Sequence, residues 1–229
     1  MGLGILVGPG VVSAGCVDGL RAFARRVECG VVNTWGAKGV LPWDDPFHFG
    51  TAGLQAFDFE LAGLADVEVL VTSGLADDEV TSRPWEGRAE VIDVAPERLA
   101  DIELHLPGPP RGGMQRPALY GALAAVVGPL YEQPGSAPAR AAALAASLAR
   151  EGVVVAAPGL VGFWLARTFP TRRPGSVRIT TAPVDDPGAV VVTEADWADV
   201  DLDPAPLVAV AGEIVAWGGS ATWGAIGQR

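Results

Sequence analysis

Cysteine and histidine are scarce in this chain of 229 residues, which contains two of each. Cys16 and Cys29 form neither a CxxC pair nor a disulfide framework, so no structural zinc site is indicated and a reducing, cytoplasmic setting is favoured. His48 and His105 lie outside any local motif for a Ser–His–Asp or Cys–His site. The sequence therefore does not predict a hydrolase of either class.

Positive charge is also scarce, since Lys38 is the only lysine and the formal net charge is −11. A nucleic acid or an anionic membrane would require a basic face, so we expect neither as a partner. The N-terminus lacks the basic region of a signal peptide. The uncharged run between Glu151 and Arg167 contains Pro158 and is too short to span a bilayer. Apolar residues make up 49% of the chain, which is enough for a packed core.

Apolar runs alternate with amphipathic segments in the first half of the chain. Residues 5–7 form a short apolar run that ends in a glycine turn, and apolar residues then recur at helical spacing over 17–27. The apolar runs at 67–72 and 89–94 are typical of strands buried on both faces, and a helix is predicted over 54–64. This alternation predicts an α/β fold with a Rossmann-like parallel sheet and right-handed crossovers.

The second half repeats the alternation in a shorter and less regular form. We predict a domain over 1–112, a linker and helix over 113–138, and a smaller, degenerate α/β region over 139–229. Within these bounds helices are predicted over 117–131, 139–150 and 160–167. Strands are predicted over 153–155, 177–180, 189–192 and 207–210.

The turn Gly8-Pro9-Gly10 lies between a predicted strand and a predicted helix. Such a turn places backbone amides at a helix N-terminus, where they can bind a phosphate. The third glycine of a dinucleotide motif is replaced by Ser13, and no acidic residue ends the next strand. The alternative, a tight strand-to-helix turn without a ligand, therefore stays open.

A distinctive spacing follows in the loop over 36–50, where Lys38-Gly39 is followed by Pro42, Pro46 and Gly50. Further motifs come in the same order as in one known family: Gly53-Leu54-Gln55, Ala65–Val71, Asp77–Thr81, and Ile92-Asp93 with Pro96 and Leu99. Over about residues 3–100 the sequence resembles the central domain of thiamine-diphosphate enzymes of the acetolactate synthase type. The resemblance implies a six-stranded Rossmann-like domain, which in relatives binds FAD or an adenine nucleotide, or only supports the dimer.

Two departures from the family bear on a ligand. Leu75 occupies the position of an arginine found in members that hold FAD or ADP, and Gln55 replaces the histidine of a Gly-Met-His run. Losing the arginine removes a bidentate phosphate donor, so a dinucleotide is less expected here. The candidate cofactor-binding residues are Gly8, Gly10, Trp35, Lys38, Gly53 and Asp93. Asp93 has an alternative role as the cap of the turn at Pro96.

The residues of thiamine-diphosphate catalysis are missing from this sequence. The family's catalytic glutamate lies in a domain before the central one, and no Gly-Asp-Gly metal motif occurs in the 229 residues. By resemblance, Ala157 stands where the cofactor-binding domain has an aspartate, and Asp196 could correspond to the metal aspartate, with Ala195 and Trp197 in place of its glycines. Bulky residues there would obstruct a diphosphate, so we predict no metal ligand and no catalytic residue.

Three functions remain open from the sequence. The first is a non-catalytic homologue that acts as a subunit or scaffold, either as a homodimer or in a hetero-oligomer with a thiamine-enzyme subunit. The second is one component of a split 2-oxo acid decarboxylase or acetolactate synthase, and the third is a module for FAD or an adenine nucleotide. The family cofactors are thiamine diphosphate and magnesium; whether this chain holds any cofactor, and whether a domain precedes it, is left open.

Overall fold

The computed structural model describes residues 2–104 and 115–218. Its first half contains a five-stranded parallel sheet, as the alternation of apolar runs predicts. The strands are β1 (Leu3–Val7), β2 (Val31–Thr34), β3 (His48–Ala52), β4 (Val69–Ser73) and β5 (Glu90–Asp93). The helices of this half are α1 (Pro9–Ser13), α2 (Val17–Arg26) and α3 (Asp58–Leu61).

The strands lie in the order β3-β2-β1-β4-β5, so the chain reverses its direction across the sheet between β1 and β4. Ligands of such folds bind outside the carboxyl ends of the strands at this reversal. β1 and β4 are paired from Leu3 to Val7, and nearly every residue of both strands is buried. Because helices and loops cover both faces of the sheet, these strands are continuous apolar runs in the sequence.

The second half contains a three-stranded parallel sheet in the order β7-β6-β8. Its strands are β6 (Val153–Ala156), β7 (Val177–Ile179) and β8 (Ala189–Val192), and its helices are α4 (Ala118–Leu130), α5 (Ala137–Ser147), α6 (Leu160–Thr168) and α7 (Ala205–Ala211). α6 is buried from Val161 to Thr168 and carries the largest of the fully buried side chains, Trp164. The smaller α/β region predicted from the sequence is therefore present. In the part of the chain that the structure describes, no helix has the length and apolarity needed to cross a membrane.

Backbone and side-chain bonds join the two halves. The amides of Ala56 and Phe57 donate to the carbonyls of Glu213 and Ala211, each at 2.9 Å. Leu54 belongs to the same buried cluster as Trp164 and Leu207, so the second core extends into the first half. The division at residues 112 and 138 stays a prediction, because these contacts cross it and residue 112 lies outside the described residues.

Four local predictions are wrong. The run at 89–94 forms strand β5, but this strand lies at the edge of the sheet and is mostly exposed, not buried on both faces. Residues 48–52 form strand β3 and not a loop, because pairing with β2 and burial stabilise a segment whose polar residues hide it in the sequence. The helix predicted over 54–64 is limited to Asp58–Leu61, since Gly53 and Gly63 have positive φ angles on either side. Residues 207–210 lie in helix α7, which begins after Pro204 and ends at Gly212.

Five strands, and not the six implied by the resemblance, are paired in the first sheet as far as the structure describes it. Residues 102–104 follow β5 without joining the sheet, although Ile102 and Leu104 pack on its core. The edge strand expected around His105 lies outside the described residues.

Candidate functional site

The glycine turn at the end of β1 is fastened to the turn at the end of β4. The amide of Gly8 donates to the carbonyl oxygen of Ser73 at 3.0 Å, and that of Gly10 donates to the carbonyl of Gly74 at 2.8 Å. A Cβ atom on Gly8 would lie 2.6 Å from Cα of Leu75, so only glycine allows this approach. Backbone packing therefore accounts for both glycines, and in this arrangement their amides have no hydrogen left for a phosphate.

A buried carboxylate, Glu79, lies at the same end of the sheet. It follows β4 in a 3₁₀ turn over Asp77–Glu79, and it is only 3% exposed. Its Oε2 accepts a hydrogen bond from the hydroxyl of Thr34 and one from the amide of Gly36 at 3.1 Å. Burial raises the pKa of Glu79 to about 7, although these two bonds oppose the shift.

Gly53 and Trp35 lie around this carboxylate. Gly53 has a φ of +84°, and a Cβ there would collide with the carbonyl oxygen of Glu79. Trp35 precedes Gly36 and is half-buried, with an edge contact to Trp217 at 5.3 Å between ring centroids. Trp35 and Gly53 thus both lie near Glu79, an acidic group that offers no positive charge to a phosphate.

Asp93 ends β5, as predicted, and its side chain is engaged with the neighbouring strand. Its Oδ1 accepts a hydrogen bond from the hydroxyl of Thr72 in β4 at 2.8 Å. The 3₁₀ turn that begins at Pro96 has no side-chain cap, so the alternative role of Asp93 as a cap is wrong. Whether Asp93 binds a ribose or an adenine stays a prediction.

Lys38 lies in a separate cavity of about 290 Å³ between the two halves. The residue is only 5% exposed, and no hydrogen bond or ion pair joins its ammonium group to another residue within 2–104 or 115–218. Burial, and to a lesser extent the charge of Arg167, lower the pKa of Lys38 to about 7. None of the other five predicted ligand residues lines this cavity.

The cavity walls are mostly apolar and aromatic, and their charged groups are cationic. Its lining includes Trp43, Tyr120, Tyr131, Phe169, His48 and Arg167, and no Asp or Glu of the described residues. Arg116 lies beside the wall, with its guanidinium 4.1 Å from the ring centroid of Tyr120. An apolar cavity with a few convergent polar groups is the usual form of a small-molecule site.

His48 also lines this cavity, in addition to the basic side chains of Lys38 and Arg167. Burial is the main cause that lowers the pKa of His48 to about 3, and the charges of Lys38 and Arg116 add to it. Its ring is therefore neutral over the physiological range, and the ring Nδ1 is buried without a hydrogen-bond partner among the described residues. The sequence analysis assigned no chemical role to His48, and its place in the cavity follows from β3.

A buried network around Arg167 forms the floor of the cavity. Arg167 Nη2 lies 2.9 Å from Oδ2 of Asp58, and Nη1 donates to the carbonyl of Thr51 at 2.8 Å. Gln55, which replaces the family histidine, accepts from Arg167 and donates to the carbonyl of Gly212 at 2.7 Å. This network joins β3 and α3 of the first half to α6 and the end of α7.

Sequence reasoning missed Glu79 and Arg167. Arg167 had a signal in the sequence, since it is the only charged residue of an otherwise apolar helix and therefore needs a buried partner. The sequence signal for Glu79 was weaker: this residue replaces the arginine of the family's Asp-Asp-Arg-Val-Thr motif.

Asp196 lies in a closed local turn after β8. Its Oδ2 accepts from the amide of Thr193 at 2.8 Å and from the Thr193 hydroxyl at 2.6 Å. These bonds lower the pKa of the exposed Asp196 carboxyl. The side chain of Trp197 is buried in the second core, where a glycine would leave space. These residues do not fit a metal–diphosphate site, and no cluster of three metal-ligating side chains is found in residues 2–104 and 115–218.

The fold and these residues define a parallel, doubly wound α/β protein with a Rossmann-like first half. Residues 3–105 match the family described as thiamine pyrophosphate enzyme, central domain. The resemblance predicted from the order of motifs is therefore confirmed for this part of the chain.

A solved structure supports the fold over a longer stretch. The chain is similar to a protein from Mycobacterium smegmatis described as a thiamin diphosphate-dependent enzyme, with a TM-score of 0.53 and 15% identity. The similarity covers 78% of this chain and 38% of that one, so this chain spans well under half of its structural relative. The comparison with curated protein sequences gave no match.

Proposed function

We propose that this chain is a non-catalytic homologue of thiamine-diphosphate enzymes, which acts as a subunit or scaffold in a larger assembly. The proposal keeps the family's supporting role for the central domain and assigns no thiamine chemistry to the chain itself. The observation that carries it is the turn of Asp196 and Trp197.

The region that resembles the family's metal strand is stabilised by local hydrogen bonds and by packing of Trp197 in the core. The Asp196 carboxylate is engaged by two bonds from Thr193, and the next side chain, Trp197, is anchored in the core. Both bonds are accepted by Oδ2 of Asp196, so only Oδ1 is left to ligate a metal. A diphosphate would also need close approach to backbone that Trp197 and Ala195 cover. These features support a structural role for this turn.

An uncovered edge strand supports assembly. β8 lies at the edge of the second sheet, and its residues Val190 and Val191 are 39% and 63% exposed. Successive side chains of a strand point to opposite faces, so both faces of β8 are uncovered at this point. An exposed apolar edge strand is a template for pairing with another chain. We propose this edge as the subunit contact.

The nucleotide-binding alternative is less well supported. The amides of Gly8 and Gly10 are bonded to the β4 turn, and the buried Glu79 carboxylate lies near the end of the sheet where a phosphate would bind. Both features oppose an anion at the usual crevice.

Native mass spectrometry of the purified protein, with and without thiamine diphosphate and Mg²⁺, tests the non-catalytic role. We expect an oligomer of unchanged mass in both conditions. A thiamine diphosphate adduct would contradict the proposal and favour a component of a split enzyme. A co-purified FAD or adenine nucleotide would favour the nucleotide-binding module instead.

Light scattering on size-exclusion fractions tests the proposed contact. Val191→Glu introduces a charge at the β8 edge and should convert the oligomer to monomers, because burying that carboxylate is costly. Val91→Glu is the matched control, since Val91 is 47% exposed on the edge strand of the other sheet. Dissociation by Val91→Glu and not by Val191→Glu would refute the assignment of the interface to β8.

A further inference from the structure

The Lys38 cavity has a cation without an anion. Lys38 is 95% buried, and its ammonium has neither a carboxylate nor a carbonyl partner in the ranges that the structure describes. A buried charge is costly unless it is paired, so an anion that enters the cavity and pairs with this ammonium would offset that cost. It is also the only lysine in a chain with a net charge of −11.

The neighbouring groups do not supply the missing anion. Arg167 is bonded to Asp58, so that carboxylate is already neutralised by a guanidinium. Asp45 is not part of the cavity lining. Its Oδ2 lies 3.2 Å from Nη2 of Arg25, and its Oδ1 accepts a hydrogen bond from the amide of Phe47 at 2.8 Å. The cavity therefore keeps an excess of positive charge with no acidic group in its lining.

The walls determine what kind of anion fits. Trp43, Tyr120, Tyr131 and Phe169 contribute aromatic surface, and Leu123 and Val127 contribute aliphatic surface. The Tyr131 hydroxyl donates to the carbonyl of Thr168, so its hydrogen is not available to an anion. The volume of about 290 Å³ is at the small end for ligand sites and suits a single ring.

We propose that this cavity binds a small aromatic monocarboxylate, with the ring between the aromatic walls and the carboxylate paired with Lys38. The ion pair would be shielded from water by the same walls, which strengthens it relative to a surface pair. This site is independent of the proposed scaffold role, since it concerns the junction of the two halves and not the β8 edge.

Protonation of Lys38 and binding are linked. The carboxylate pairs with the ammonium form, and the pKa of Lys38 in the empty cavity is about 7. Affinity should therefore be full below pH 7 and fall as the pH rises, by about 30-fold between pH 6 and pH 8.5.

The other charged or titratable groups that line or adjoin the cavity do not produce this change. His48 has its pKa lowered to about 3, and burial raises the pKa of Tyr131 to about 12. Arg167 is held by Asp58. Tyr120 is the remaining titratable side chain in the described lining, and the guanidinium of Arg116 lies over its ring.

Calorimetric titration with benzoate and 3-phenylpropionate at pH 6 and pH 8.5 tests the site, with benzamide as the neutral isostere. We expect one acid bound per chain, at least tenfold weaker binding of the amide, and the 30-fold loss at high pH. Lys38→Met should lower the affinity at pH 6 at least tenfold, whereas Arg178→Met, which removes an exposed cation on β7, should leave it unchanged. Circular dichroism of each variant shows whether it is folded.

A second readout follows the lysine itself. Protein labelled with ¹³C-lysine gives a single lysine side-chain signal, because Lys38 is the only lysine. Its titration should give a pKa near 7 in the free protein and a higher one with benzoate. Equal binding of acid and amide, an affinity independent of pH, full binding by a folded Lys38→Met protein, or no binding at pH 6 would each overturn the proposal.

Discussion

The buried pair between Arg167 and Asp58 gives the sharpest test of how the two halves are held together. Both side chains are almost fully enclosed, at 2% and 0% exposure, and Arg167 Nη2 lies 2.9 Å from both carboxylate oxygens. Arg167→Met keeps most of the side-chain volume but leaves Asp58 charged, buried and without its cation. Breaking a buried pair in this way costs about 3–5 kcal/mol.

The loss should be visible in both chemical and thermal unfolding. Urea titration at pH 7 should give a free energy of unfolding about 3–5 kcal/mol lower for Arg167→Met. For a chain of this size the melting temperature should fall by roughly 10 °C or more. The matched control is Arg140→Met, which removes the exposed partner of Asp199 and should cost about 0–1 kcal/mol.

A double variant separates the uncompensated charge from the lost contacts. Asp58 also accepts hydrogen bonds from the amides of Leu54 and Gln55, at 2.9 and 3.0 Å. Asn in its place is neutral and keeps an oxygen acceptor, so Arg167→Met with Asp58→Asn should recover about 1–3 kcal/mol of the loss. If the double variant is no more stable than Arg167→Met, or if Arg167→Met costs no more than Arg140→Met, the reasoning is refuted.

Two further predictions concern the turns at the carboxyl end of the first sheet. Because burial raises the pKa of Glu79 above that of an unfolded glutamate, the folded state binds its proton more tightly, and the free energy of unfolding should decrease from pH 5 to pH 7.5, by at most about 1.4 kcal/mol per pH unit. Glu79→Gln should reduce this slope in urea titrations, and an equal slope in the variant would show that another group causes it. Gly8→Ala should lower the melting temperature, because the new Cβ meets the backbone of Gly74 and Leu75, at a cost of about 1–3 kcal/mol. Gly121→Ala, in open space on α4, should be neutral or stabilising, and similar effects of the two alanines would argue against the close contact.

The strands of the first sheet could be predicted wherever burial on both faces leaves an uninterrupted apolar run. This holds for β1 and β4, which lie at the centre of the sheet. It fails for β3, where His48 and Thr51 interrupt the apolar pattern although both are buried. Their burial depends on α4 and α6, which come much later in the chain, so a local pattern does not reveal it.

The candidate site could be predicted only in part, for the same reason. The loop motif identified Lys38 and Gly53, and the strand–turn–helix pattern identified Gly8 and Gly10. What these residues contact is set by distant segments: Gly10 donates to Gly74, and Arg167 shares its cavity with Lys38. Sequence spacing indicates which residues are unusual, whereas their hydrogen-bond partners and burial require the tertiary structure.

The charges of the two candidate sites favour different ligands. At the carboxyl ends of β1 and β4 the buried group is the carboxylate of Glu79, and the nearby glycine amides are already bonded. In the cavity between the halves it is the unpaired ammonium of Lys38, with Arg167 beside it. The second site therefore attracts an anion, whereas the first offers it neither a cation nor a free glycine amide among the groups named here. Because the walls of the second site come from β3, α4 and α6, a ligand bound there would contact both halves at once. Such a ligand would stabilise their association by mass action, so benzoate should raise the melting temperature of the wild-type protein at pH 6 but not that of Lys38→Met.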